Sequence, residues 1–223
     1  MIANQILDFY QSLTPPDLLP ANVETLNPYI TKEGWDTTEA FYHKFYNDNN
    51  FRKILFGINP GRLGGGLTGA PFTDPICMED FCGITNPFPK RHELSSKFVY
   101  EMINFIGGPK NFYANYFITG ISPLGYISDG KNLNYYDIKG WKEIFEESVV
   151  QWIKAQLQFN IDTSIAYSIG KGENIKFLKY VNKKHNFFEK IESLPHPRWV
   201  MQYRLKSKHI FLEEYKEKLP LTN

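Results

Sequence analysis

The sequence predicts one α/β domain whose centre is a mostly parallel sheet of four strands flanked by helices. Three observations lead there. Four short apolar runs are each closed by Gly, Pro or a turn residue, and stretches of helical period lie between them. The 223 residues suit one domain and can bury a core without a disulfide or metal staple. Strands that alternate with helices pair in parallel and are covered on both faces.

Taken in order, Ile2, Ile6, Leu7, Phe9, Tyr10 and Leu13 recur at helical spacing until Pro15-Pro16 ends the run. A connector reaches Pro28, and Thr37-Thr38 then reads as the cap of a second helix carrying Phe41, Tyr42 and Phe45. Residues 1–50 are thus expected as a helical N-terminal extension packed on a domain that spans 1–223. Lys53 to Ile58 is the first buried strand, closed by Asn59-Pro60-Gly61, and a Gly-rich loop runs on to Phe72. Leu94 to Ile106 reads as a helix stopped by Gly107-Gly108-Pro109, and Phe112 to Ile121 as a strand broken by Ser122-Pro123. Ile138 to Phe159 is a long amphipathic helix with Trp141, Ile144, Phe145, Val149 and Trp152 on its apolar face. Ser164 to Ile169 is a strand, Asn174 to Val181 a helix, Phe187 to Leu194 a strand, and Tyr203 to Leu219 a charged helix.

Composition excludes several classes. Lys plus Arg total 25 against 24 Asp plus Glu, so the net charge of +1 rules out a polycationic coat protein but not a local basic face. Cys77 and Cys82 are the only cysteines, too few for a structural zinc or a four-Cys iron–sulfur site, and they fit a reducing cytosol. The first residues lack the cationic stretch and apolar block of a signal peptide, and no apolar run approaches the roughly 18 residues of a membrane span. A soluble cytoplasmic protein without metal, cofactor or membrane partner is expected. Aromatics at 16% suit stacking on a flat ligand, and suit a dense core equally.

Gly64-Gly65-Gly66-Leu67-Thr68-Gly69 matches G-x-G-x-x-G formally. A dinucleotide loop would open a helix directly after the strand, whereas these glycines come late and are followed by Ala70-Pro71. No Gly-Lys-Ser/Thr is present, so a Walker loop fails as well. Asn59 at the carboxyl end of a buried strand stands where open α/β sheets bind ligands, although Asn-Pro-Gly is also an ordinary turn.

Gly57-Ile58-Asn59-Pro60-Gly61 followed by Thr68-Gly69-Ala70-Pro71-Phe72 resembles motif one of the uracil-DNA glycosylase superfamily, above all its single-strand-selective monofunctional (SMUG) branch. Leu194-Pro195-His196-Pro197-Arg198 stands where that branch has its His-Pro loop, and Phe117 to Leu124 with Lys131-Asn132-Leu133 resembles the family's central strand and following loop. The chain looks like a bacterial offshoot of the branch. The resemblance implies a glycosylase of base excision repair, acting on DNA as a monomer. No Lys lies in either motif, which agrees with a monofunctional enzyme.

Under the resemblance Asn59 holds the attacking water, since an amide offers a donor and an acceptor without ionising. His196 donates to the base oxygen on which charge grows. Phe72 stacks on the base, and Gly57, Ile58, Pro60, Gly61, Gly120 and Ser122 complete the base site. Arg198 is a wedge or a phosphate contact. Arg204, Lys206 and Lys208 track phosphates near a basic C-terminal third that also holds Lys176, Lys179, Lys183 and Lys184. A loop histidine, a core phenylalanine and a solvated charged face are the ordinary alternatives for these residues.

Two departures stand out. Gly120 occupies the place of the family's base-reading Asn, so uracil selectivity is expected to be low and xanthine, hypoxanthine or a modified uracil become candidate substrates. The His-Pro loop also lacks the family's Ser-Pro step. A catalytically silent module that binds damaged DNA is the reading from another class.

Overall fold

The computed structural model describes residues 1–221. The chain opens with α1 (Ile2–Gln11), β1 (Glu24–Leu26), α2 (Lys32–Tyr46) and β2 (Arg52–Gly57). Three short elements and a long one follow: α3 (Gly65–Thr68), α4 (Pro75–Asp80), α5 (Leu94–Ile106) and α6 (Gly108–Asn115). Then come β3 (Tyr116–Gly120), β4 (Gly125–Ser128), β5 (Lys131–Leu133), α7 (Trp141–Gln156), β6 (Ile161–Ile169) and α8 (Glu173–His185). The chain ends with β7 (Lys190–Leu194), α9 (Pro197–Tyr203) and α10 (Lys208–Lys218). Among the described residues no helix is long and apolar enough to cross a membrane.

The main sheet has the order β3-β2-β6-β7, and all three pairings are parallel. Ile54, Leu55 and Phe56 of β2 are fully buried, as a strand covered on both faces requires. Each such side chain contributes about 1.5–3 kcal/mol by leaving water. A second sheet, β1-β4-β5, is antiparallel and has no counterpart in the sequence reading, because strands of three or four residues are too short to show a period.

Several boundaries differ from the expectation for physical reasons. Thr31, not Thr37 or Thr38, caps α2: its Oγ1 accepts the Gly34 N–H at 3.2 Å. Thr37 and Thr38 lie inside the helix and donate back to the Glu33 and Gly34 carbonyls. Gly107-Gly108-Pro109 ends α5 but also starts α6, since proline is at home in a first helical turn, so residues 112–115 are helix and the strand begins at Tyr116. Within α7, Trp141 and Ile144 are only half-buried, and Ile153 and Gln156 complete the buried face with Phe145, Val149 and Trp152. The final helix starts at Lys208, because α9 and a 3-10 turn occupy residues 197–207.

At the start of β2 the buried Arg52 is fully engaged. Nε donates to the Tyr113 carbonyl at 2.7 Å, Nη1 to the Asn50 carbonyl, and Nη2 to the Phe45 carbonyl and to Asp48 Oδ2 at 2.7 Å. Its guanidinium also lies over the Tyr46 ring. The α1–α2 layer is tied down beside it by a Tyr42–Tyr10 hydroxyl bond of 3.0 Å and by stacking of Tyr10 on Tyr29.

Candidate active site

All four strands of the main sheet run in one direction, so Gly57, Gly120, Ile169 and Leu194 bring their carboxyl ends to one edge. A cavity of about 600 Å³ opens there. Gly57, Ile58, Asn59, Pro60, Gly61, Phe72, Gly120, His196 and Arg198 all line it.

Asn59 follows β2 directly and its amide is held from both sides. Oδ1 accepts the Tyr135 N–H at 2.9 Å, and Nδ2 donates to the Leu133 carbonyl at 3.0 Å. These partners fix which amide atom is which. They also make Asn59 a clamp on the loop after β5, so the amide is not wholly free to hold water. Oδ1 retains a second lone pair.

His196 is placed by helix chemistry. It is the N-cap of α9, with Pro197 in the first turn, and its Nδ1 accepts the Arg198 N–H at 3.2 Å. With Nδ1 an acceptor, the neutral ring carries its proton on Nε2. Burial, and then the Arg198 charge, push its pKa down to about 4, which keeps the ring neutral near pH 7. Gly170, at the end of β6, leaves space beside the ring: a Cβ there would meet His196 Cδ2 at 3.6 Å.

Phe72 has a left-handed backbone (φ 53°), unusual for a bulky residue. Its ring lies over Gly57, where a Cβ would stand 2.7 Å from Cε2. Glycine at 57 is therefore the floor that seats the ring. Gly120 is bare for a stricter reason, because a Cβ would stand 2.3 Å from the Ser122 carbonyl oxygen. No side chain fits there without moving backbone.

Ser122 departs from the expectation. It is fully buried, its hydroxyl donates to the Leu124 carbonyl at 2.9 Å and pairs with Tyr126, and it stands outside the cavity wall. A serine after a strand gives no sign in sequence of which way its hydroxyl turns. Lys208 departs as well, since it is ion-paired with Glu101. Arg204 is exposed and stacks over Trp199 at 4.9 Å, and Lys206 is exposed. Lys176 and Lys184 are paired with Glu173 and Glu146.

Among the wall residues that sequence reasoning missed are Glu93 before α5, Asn174 on α8, and Trp199 and Tyr203 on α9. Asn174 Nδ2 donates to the Gly57 carbonyl at 3.1 Å and so braces the motif from behind. Only the exposed aromatics after Pro197 left a signal, had α9 been read as a helix of its own.

Asp74, Cys77 and His92 place one ligand atom each within 4.8 Å of one another. Asp74 is spent as a cap, however: Oδ1 accepts the Cys77 N–H and Oδ2 the Glu93 N–H, both at 2.8 Å. Burial, with the Asp74 charge added, pushes the Cys77 thiol up, away from the thiolate a metal needs.

No curated protein matches the chain. The crystal structure of wild-type Pedobacter heparinus SMUG2 is similar over 97% of this chain and 96% of that one, with 39% identity and a TM-score of 0.92. The model of the Uracil DNA glycosylase superfamily matches residues 43–219, which hold both loops, the whole main sheet and the cavity between them. With family model and solved structure in agreement over most of its length, the chain belongs to the uracil-DNA glycosylase superfamily of DNA glycosylases.

Proposed function

We propose that this protein is a monofunctional glycosylase of base excision repair that hydrolyses the N-glycosidic bond of uracil or another deaminated base in DNA. One observation carries the reading: Asn59 and His196, distant in sequence, line the same cavity beside an aromatic ring. The remaining Oδ1 lone pair of Asn59 accepts a hydrogen bond from water and aims its oxygen at C1′ of the sugar. A C–O bond forms there as the C–N bond breaks, and the bonding pair leaves with the base. The His196 Nε2–H then meets the oxygen that gathers that charge, and the proton lost by water ends on the base or in solvent. Phe72 stacks on the extruded base, an interaction of about 1–3 kcal/mol that many bases share. The lack of a base-reading side chain at Gly120 favours a site that admits hypoxanthine and xanthine beside uracil.

Arg198 at the cavity rim serves as wedge or phosphate contact, and the exposed Arg204 and Lys206 as phosphate contacts for a cytoplasmic, monomeric enzyme. The test incubates the protein with single- and double-stranded oligonucleotides carrying each damaged base, then cleaves abasic sites with alkali. Strand scission is expected with at least one deaminated base, and Asn59→Ala is expected to slow it at least about a hundredfold. No scission on any substrate would leave a silent damage-binding module as the function.

A further inference from the structure

Most polar side chains around the cavity are spent on the protein itself. Asn59 is clamped to Leu133 and Tyr135, Asn134 bonds to Asp137, and Asn174 bonds to Gly57, Ser168 and Tyr135. Two carboxyl groups line the cavity. Glu173 is paired with Lys176 at 2.7 Å, whereas Glu93 has no ion-pair partner among the described residues.

Glu93 immediately precedes α5, and its N–H is fixed by Asp74 Oδ2 at 2.8 Å. Its side chain makes no cap bond and lies along the motif loop, in space that two glycines leave open. A Cβ on Gly61 would stand 2.6 Å from Oε1, and one on Gly64 2.1 Å from Oε2. Oε2 accepts the Ser96 hydroxyl at 3.4 Å, and among the described residues no group donates to Oε1. Burial pushes the carboxyl's pKa up and the Asp74 charge adds to this, while the Ser96 bond and Arg198 pull the other way. His92, next in sequence, lies 3.6 Å from Asp74 instead. A carboxyl group so placed keeps its proton to higher pH than a free one does. With Ser96 donating to Oε2, the proton of the acid form belongs on Oε1, against the motif loop.

We propose that Glu93 is the base-reading residue, its Oε1–H donating to the carbonyl oxygen that deamination puts where an undamaged base carries an amino group. Uracil, hypoxanthine and xanthine share that replacement. An amino group at the same place would set donor against donor, and a site built to bond a polar group rejects the analogue that cannot answer it. The acid form also suits the chemistry, because the leaving base is anionic and an ionised carboxylate beside it would repel it. The inference rests on the glycosylase reading above.

The test measures equilibrium binding of oligonucleotides carrying 2′-fluoro-2′-deoxyuridine or 2′-fluoro-2′-deoxycytidine, which resist hydrolysis, from about pH 5 to about pH 9. The wild-type preference for the uracil probe is expected below the pKa of the bound carboxyl and lost as pH rises through it. His196, pushed down to about 4, does not titrate in that window. Glu93→Ala is expected to reduce the preference at least about tenfold. Glu93→Gln, which keeps a donor but cannot ionise, is expected to restore part of it and to flatten the pH dependence. A Glu93→Ala protein with the wild-type preference and pH profile would overturn the assignment. Excision assays on the same proteins separate the two readings. Excision with an unchanged preference removes only the role of Glu93, and a Glu93-dependent preference without excision removes only the glycosylase.

Discussion

Strand β2 begins at Arg52 and is followed at its other end by Asn59, and the two ends use polar side chains in opposite ways. Arg52 is 1% exposed and spends its guanidinium on three carbonyls and Asp48. Around Asn59 the polar groups are only partly engaged: His196 is held through Nδ1 and Glu93 through Oε2, while Asn59, held through Nδ2 and one lone pair of Oδ1, keeps the other lone pair. All three residues line the cavity. Full satisfaction makes one end rigid, and partial satisfaction leaves the other end able to bind. The same strand thus anchors the fold at its start and presents chemistry at its finish.

The largest expected effect breaks the anchored end. Arg52→Ala strands Asp48 and three carbonyls, and should cost about 3–5 kcal/mol in denaturant unfolding. Molecules that remain folded should excise at the wild-type rate. An unmoved midpoint would mean the network contributes little and would dissolve the contrast.

His196→Ser inverts that pattern. Serine caps a helix well, so α9 is kept. The Nε2 donor is gone, and turnover should fall by a factor reflecting about 2.7–4 kcal/mol of barrier. Single-turnover rates beside melting temperatures check this, and a large stability loss with unchanged rate would place His196 with the anchors.

Two glycine substitutions sharpen the comparison within the cavity. Gly120→Ala drives a Cβ into the Ser122 carbonyl, which is backbone, and should cost about 1–3 kcal/mol of stability. Replacing Gly120 by Asn is therefore not a clean way to restore a base-reading amide. Gly57→Ala meets chiefly the far edge of the Phe72 ring, which can swing away, and touches the Thr119 carbonyl oxygen only at 3.4 Å, so it should largely spare stability and weaken binding of a stacked base. Equal losses of stability from both would show that the Phe72 ring is as fixed as the backbone.

The smallest effect lies at the surface. Lys206→Ala should weaken DNA binding evenly across sequences and lower the salt slope by about 1, measured from affinity at several salt concentrations. An unchanged slope would remove Lys206 from the phosphate path.

Depressed His196 also sets an acid limit on stability. Its folded pKa of about 4 lies below the ordinary 6.5, so the unfolded chain binds the proton first. Stability should therefore fall as pH drops from about 6.5 to about 4.

The sequence by itself determined the α/β alternation, the parallel main sheet and the two loops that carry Asn59 and His196. All of these rest on local signals: apolar runs of strand length, a turn after a strand, a proline opening a helix. Tertiary structure alone decided that Asn59 clamps the loop after β5, that Ser122 turns into the core, and that Lys208 is tied to Glu101. It also decided that Glu93 comes to lie against the motif loop. Each of these depends on a partner far along the chain or on which way a side chain turns, and no local pattern of residues encodes an atom that only packing brings near.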